Sequence, residues 1–260
     1  MAIKRISSRD NPFYKSLHRI SSSARERGET GLTLLDGAHL LRAFLDTGGK
    51  PVHLIISEHA LRDTEIAALL DECADAPRIQ LDIALFAQLS GLKTPNGLLA
   101  LVDIPPAKVE AAHSQFALLL EDMQDPGNLG SILRSAAAAG CDAVFLSQGC
   151  ADVWSPRVLR AGMGGHFALS ILESADLLKV SAELGGKLLA ASLQSDKSLF
   201  ECNLRGRLAF AIGNEGAGLS SALLEAAQQR FIIPMPGQVE SLNAAAAAAV
   251  CLFEAVRQRR

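Results

Sequence analysis

The run Leu208-Ala209-Phe210-Ala211-Ile212-Gly213-Asn214-Glu215-Gly216 sets the fold class of this chain. Five uncharged apolar residues describe a strand buried on both faces, and a glycine-rich polar loop follows at once. The same order recurs at Phe231-Ile232-Ile233, followed by Pro234-Met235-Pro236 and then Glu240-Ser241-Leu242-Asn243. It recurs again at residues 116–120, followed by Asp125-Pro126-Gly127-Asn128 and Arg134. In open α/β sheets the ligand lies in the crevice beyond the carboxyl ends of the strands. Three polar loops at three strand ends therefore predict one crevice to which all three contribute.

Working outward, residues 143–147 and 188–193 are two further strand-like runs. Strands separated by helix-sized intervals call for a parallel sheet covered on both faces. The last helix, residues 243–257, is built on the six alanines 244–249, which favour the helix and permit close packing. In the first half the pattern predicts a helix over 11–27, ended by Gly28, and a strand over 32–36. A helix over 37–46, a strand over 52–57, helices over 61–74 and 82–89, and a strand over 97–102 follow. Pro105-Pro106 interrupts regular structure, so the expected domains are 1–106 and 107–260.

The chain has 260 residues, 49% of them hydrophobic and 5% aromatic, enough for a sizeable core in an α/β fold. Its five cysteines (Cys73, Cys141, Cys150, Cys202, Cys251) are odd in number and lack Cys-x-x-Cys spacing. Neither a disulfide framework nor a metal site is expected from them. The start has no apolar signal segment, and the longest apolar run, 244–253, is too short to span a bilayer. A cytoplasmic protein without membrane contact is the expectation. Net charge is −3, but residues 1–27 hold seven Lys or Arg against Asp10 and Glu26, a local balance of +5. Such an asymmetry fits a basic arm that meets polyphosphate, with Lys4, Arg5 and Arg9 as its leading contacts; a solvated amphipathic helix fits the charge equally well.

Each loop has a plain reading beside a chemical one. Asn128 is suited to cap a helix running to Gly140, with Arg134 emerging near its start as a surface residue. Gly213, Gly216 and Gly218 allow positive φ and close approach of a ligand, while Glu215 suits the N-terminal end of a helix starting near Ser220. These glycines match neither a dinucleotide fingerprint nor a phosphate-binding Gly-Lys-Ser/Thr loop. Ser241 and Asn243 suit a helix cap, but capping does not account for Pro234-Met235-Pro236 before them.

Taken together, the three motifs, in this order and at these strand ends, resemble the SpoU (TrmH-type) family of RNA ribose 2′-O-methyltransferases, of the SPOUT superfamily. The segment Ser155-Pro156-Arg157 to Arg160-Ala161 is similar to the family too, although Gly162-Met163-Gly164-Gly165 departs from its commoner Ser-Ala-Gly-Ala. More weakly, Leu34-Leu35-Asp36-Gly37 with Leu40 and Leu41 resembles the small ribosomal-protein-like α/β/α substrate-binding domain of many members, which usually carry Glu-Gly there.

The resemblance implies a parallel-sheet catalytic domain threaded into a trefoil knot, an isologous homodimer formed through it, and S-adenosylmethionine as cofactor with no metal. It implies a cofactor site of Ala191, Gly213, Asn214, Gly216, Ile233, Met235 and Leu242. Catalytic roles pass to Asn128, Arg134, Glu215, Ser241 and Asn243, with Arg134 nearest the reacting hydroxyl. Arg157 and Arg160 become RNA-phosphate contacts; a solvated helix face is the alternative. His166 beside Phe167 is read as structural. The substrate is RNA, ribosomal in preference to transfer RNA because a separate N-terminal domain is present. Two rivals remain at this stage: an RNA-binding protein that has lost methyl transfer, and an α/β enzyme of another adenosine cofactor.

Overall fold

The computed structural model describes residues 3–107, 110–214 and 216–260. It divides into two compact units, Met1–Pro105 with Trp154–Phe167, and Pro106–Val153 with Ala168–Arg260.

The first unit is built on a five-stranded mixed sheet of β1 (Lys4–Ile6), β2 (Leu32–Asp36), β3 (His53–Ser57), β4 (Arg78–Leu81) and β5 (Leu98–Asp103). Their order is β1-β4-β3-β5-β2, parallel at β1/β4 and β3/β4 and antiparallel where β5 meets β3 and β2. The helices are α1 (Pro12–Ser22), α2 (Ala24–Thr30), α3 (Ala38–Asp46), α4 (Thr64–Glu72) and α5 (Ile83–Leu89). Tyr14, Leu17 and Ile20 of α1 and Leu85, Phe86 and Leu89 of α5 pack with Leu34, Ile55 and Leu99 of the sheet. The alternate sheet residues Leu35, Leu54 and Ile56 are also buried, as are Leu40, Leu41 and Phe44 of α3 and Ile66, Leu69 and Leu70 of α4. Helices on both faces of one sheet make the expected α/β/α sandwich. The single helix expected over 11–27 is two, because Ser23 closes α1 and its hydroxyl caps α2 at Glu26 N. The short strands β1 and β4 were not expected.

The second unit holds a six-stranded sheet of β6 (Phe116–Leu120), β7 (Ala143–Leu146), β8 (Ser170–Leu172), β9 (Lys187–Ala191), β10 (Leu208–Ile212) and β11 (Gln229–Phe231). The order is β11-β9-β10-β6-β7-β8, and every pairing is parallel. All residues of β6, β7 and β10 are buried, as two covered faces require. Its helices are α6 (Pro126–Ala139), α8 (Leu177–Glu183), α9 (Ser221–Ala226) and α10 (Ala244–Arg259), while α7 (Pro156–Gly162) belongs to the first unit. There Thr33 Oγ1 donates to Trp154 O at 2.7 Å and the rings of Phe44 and Phe167 meet edge to face at 5.2 Å. Among the described residues no helix is long and apolar enough to cross a membrane.

The end of α10 is fastened by Glu254, which is buried and accepts from Arg257 Nε and Nη2 and from Gln258 Nε2, each at 2.8 Å. Gln258 in turn donates to Cys202 O and accepts from Leu204 N. The Arg257 guanidinium, with Gln258, holds the Glu254 carboxyl down at about 2. A carboxyl with a folded pKa below its unfolded one stabilises above the unfolded value, and that stability is lost as pH falls through the folded value. Glu254→Gln should therefore lower the urea midpoint at pH 7, and the gap from wild type should close between about pH 4.5 and pH 2. A gap that is constant with pH would mean that packing, not charge, is what the substitution removes.

Candidate active site

Because β9, β10 and β11 are parallel neighbours, their carboxyl ends open on one edge of the sheet. A cleft of about 330 Å³ lies there, lined by Ala191 and Leu193 at the end of β9, by Ile212, Gly213, Asn214 and residues 216–219 at the end of β10 and by Ile233 and Met235 after β11. Ser241, Leu242, Ala244 and Ala247 complete the wall. Every residue expected to hold the cofactor (Ala191, Gly213, Asn214, Gly216, Ile233, Met235, Leu242) is on it. No charged side chain among the described residues lines it. The backbone amides of Ile233, Met235 and Leu242 have no hydrogen-bond partner among the described residues. Small apolar walls with unpaired backbone donors suit a flat, neutral, hydrogen-bonding group such as the adenosine of S-adenosylmethionine.

The loop after β10 is shaped by its own hydrogen bonds. Asn214 Oδ1 accepts from Gly216 N at 2.8 Å and Ala217 N at 3.1 Å, and Asn214 O accepts from Gly218 N at 2.9 Å. Asn214 Nδ2 donates to Asp122 O at 3.0 Å, tying the loop to the end of β6. Asp122 holds φ 52°, uncommon for a residue other than glycine. Of the three loop glycines only Gly218 uses positive φ, at +70°. A Cβ on Gly213 would lie 2.2 Å from Gly218 O, so Gly213 is needed for the loop to close on itself rather than to admit a ligand. Gly216 has room for one, its nearest neighbour being Asn214 Oδ1 at 3.5 Å. Glu215 lies outside the described residues.

At α6 the expected cap is displaced by three residues. Asp125 is the cap, its carboxylate accepting from Asn128 N at 2.7 Å, and Pro126 starts the helix rather than a turn. Asn128 is thereby left inside the first turn, where its Oδ1 accepts from Asn243 Nδ2 at 2.9 Å. Asn243 is itself the cap of α10, its Oδ1 accepting from Ala245 N and Ala246 N. Two of the expected catalytic residues thus join the N-termini of two packed helices. Arg134 is not near the start of α6: it is the ninth residue, about 12 Å along at 1.5 Å per residue. It is exposed, and its side chain makes no hydrogen bond or ion pair with another described residue.

Two of the expected RNA contacts are otherwise engaged. Arg160 Nη1 donates to Gly91 O at 2.6 Å, beside Asp36, whose carboxylate accepts from Ser90 Oγ and Gly91 N. Burial pushes the Asp36 carboxyl up, against those hydrogen bonds and the Arg160 charge. Arg160 is a strut within the first unit, not a solvated grip. Arg5 is drawn onto Asp82 and Glu58. Lys4, Arg9 and Arg157 are exposed. His166 is buried against Trp154, their rings 5.5 Å apart, in keeping with a structural role.

Sequence reading missed Glu121 and Asp122. Glu121 Oε2 accepts from Ser220 N at 2.7 Å at the start of α9, so both residues after β6 anchor the neighbouring strand's loop. Their signal was position alone, directly after a fully apolar strand. Ala244 and Ala247 were read as helix formers, yet their small size also makes them cleft wall.

The Asn243 geometry separates its two bonds. Asn243→Ala removes the cap and should cost about 1 kcal/mol of unfolding free energy. Asn243→Ser keeps a capping oxygen but is too short to reach Asn128, and should cost less than half as much. Equal losses in urea denaturation would place the stability in the Asn128 bond instead.

Comparison with known proteins agrees with this geometry. The model of the SpoU rRNA Methylase family matches residues 115–253, and that of the MRM3-like substrate binding domain matches residues 11–100. The chain is 33% identical over 257 residues to the 23S rRNA (guanosine(2553)-2'-O)-methyltransferase RlmP of Bacillus subtilis (strain 168), covering 96% of this chain and 98% of that protein. A crystal structure of an RNA 2'-O ribose methyltransferase superposes with a TM-score of 0.82 at 33% identity over 98% of each chain. The AdoMet-bound rRNA methyltransferase from Sinorhizobium meliloti does so with a TM-score of 0.84 at 25% identity, again over 98% of each chain. With its three motif loops gathered at one sheet edge and the family's model spanning more than half its length, this chain belongs to the SpoU rRNA methylase family.

Proposed function

We propose that this protein transfers a methyl group from S-adenosylmethionine to a ribose 2′-hydroxyl of ribosomal RNA. The carrying observation is the cleft at the ends of β9, β10 and β11, whose described lining residues carry no charged side chain and whose amides at Ile233, Met235 and Leu242 have no partner among the described residues, in a chain of this family. Ribosomal rather than transfer RNA is favoured by relatives such as the Bacillus subtilis enzyme and by the match of residues 11–100 to a substrate-binding domain. That domain is taken as residues 1–106 and the catalytic one as 107–260, with α7 lent to the first.

When bound, S-adenosylmethionine supplies an electrophilic methyl group on a sulfonium. The protein's part is to hold the 2′-hydroxyl in line and to remove or share its proton. Arg134 is not the base, since a guanidinium offers five N–H donors and no acceptor for a proton. As an exposed cation whose side chain has no partner among the described residues, it is suited to orient the hydroxyl and a neighbouring phosphate. Glu215, assigned from sequence, is the candidate to assist deprotonation. Asn128 and Asn243 tie α6, which carries Arg134, to the start of α10, and Ser241 closes the cleft.

The homodimer is part of the same reading. Ala246, Val250 and Phe253 fall on one stripe of α10, and the Phe253 side chain is half exposed. A hydrophobic stripe on the last helix suits a two-fold interface. The knot has support as well: Ile232 N donates to Lys197 O and Leu199 N to Ile232 O, so the chain leaving β11 runs against the loop after β9. It then returns as α10 to lie on α6. A cytoplasmic location completes the proposal.

Gly216→Val places a branched side chain in the cleft while leaving the loop's own bonds intact, so calorimetry should find S-adenosylmethionine binding lost with thermal stability kept. Unchanged binding would remove this loop from the cofactor site. Arg134→Ala should abolish methyl transfer to 23S rRNA and leave cofactor affinity within about twofold, since the residue does not line the cleft. Full turnover by that variant would take Arg134 out of the mechanism.

A further inference from the structure

The first unit has an open cleft of about 410 Å³ lined by Arg9, Tyr14, Lys15, His18, Arg19 and Gln88. Lys15, His18 and Arg19 share one side of α1 at i, i+3 and i+4, opposite the buried Leu17 and Ile20. Lys15 and Arg19 are like charges at a spacing that opposes helix formation. Asp10 and Glu26 are the acids facing the group: Lys15 Nζ is 2.9 Å from Asp10, and Arg19 Nε is 3.1 Å from Glu26. Both pairs are solvent-exposed on the cationic side, the kind that contributes little and exchanges readily for a better anion. Arg9 and His18 make no side-chain hydrogen bond or ion pair with another described residue. Tyr14 is the buried floor. Its hydroxyl lies 3.2 Å from both Leu85 O and Gln88 Oε1, which sets the Gln88 amide beside it on the cleft wall.

A cleft whose rim carries donors and cations, with no acid and no exposed apolar side chain lining it, is matched to phosphate oxygens. We propose that it seats the phosphodiester backbone of the substrate RNA, a proposal that rests on the functional reading above and locates where the substrate-binding domain takes hold. The contact is sequence-tolerant, because phosphate carries no base identity. It also separates the cations of residues 1–27 into two groups. Arg9, Lys15 and Arg19 converge on the cleft, whereas Arg5 is held by Asp82 and Glu58 and Arg27 is buried, donating to Ile20 O.

The test compares wild type with Arg9→Gln/Lys15→Gln/Arg19→Gln and with Arg5→Gln as control. Fluorescence anisotropy with a poly(U) oligonucleotide reads binding, and unmodified 23S rRNA transcribed in vitro with labelled S-adenosylmethionine reads turnover. The triple variant should bind poly(U) at least about tenfold more weakly, with the salt slope reduced by up to about 2 because each phosphate contact on a single strand contributes about 0.7. Its KM for 23S rRNA should rise with kcat nearly unchanged, and the Arg5 variant should follow wild type. A triple variant that binds poly(U) with the wild-type slope overturns the cleft. So does displacement of the oligonucleotide by polyglutamate of equal charge, which would mark a surface for acidic protein. A wild type that binds poly(U) through the cleft but methylates no rRNA would instead overturn the functional reading, and the anisotropy comparison would still decide the cleft.

Discussion

The parallel pairing of β10 with β9 on one side and β6 on the other is the constraint on which the catalytic half depends. Leu208 to Ile212 align with Phe116 to Leu120, and Leu208 to Ala211 with Lys187 to Ala190. In a parallel sheet all carboxyl ends face one way, so three loops distant in sequence emerge side by side. The strands hold this register because their side chains are buried on both faces, each large apolar residue contributing roughly 1.5–3 kcal/mol. A charge placed at Phe210 or Leu119 would break the site without touching it.

Above that edge, precision comes from amides rather than ions. Asn214 clasps its own loop and the end of β6, and Asn243 caps α10 while reaching Asn128 on α6. A neutral amide both donates and accepts, so one side chain can order two elements without bringing a charge beside the cleft. Arg134, argued to act on RNA, stands outside the wall.

Legibility followed how local the cause was. β6 and β10 were readable to the residue because each is an uninterrupted apolar run between polar turns, and β2 because its leucines stand between Gly31 and Gly37. β1, β4 and β8 were not, being three or four residues long, with Arg78-Ile79-Gln80-Leu81 alternating too briefly to register a period. The seven residues expected to hold the cofactor were picked out by motif and strand end together and lie on the wall, whereas Ala244 and Ala247 were not read as wall. The cap of α6 was misplaced because Asp125 and Asn128 are both good caps and only geometry chooses between them. That α7 belongs with the first unit had no local signal, since it rests on contacts such as Arg160 with Gly91 and Trp154 with Thr33.

The charge of the N-terminal segment carries the same lesson for recognition. Counting cations gave a basic arm, but a count cannot tell a cation spent on the fold from one available to a ligand. Arg27 is buried and turned onto Ile20 O, Arg5 answers two carboxylates, and Arg25 is paired with Glu29 one helical turn on. The others are grouped by the helix period: the turn that buries Leu17 and Ile20 leaves His18 on the outer side with Lys15 and Arg19, each in one exposed ion pair, and the residues before Asn11 bring Arg9 to join them. The protein is acidic overall and still presents a concentrated positive field at one place. Because screening in physiological salt confines such fields to about 8 Å, a phosphate meets the cleft rather than the net charge.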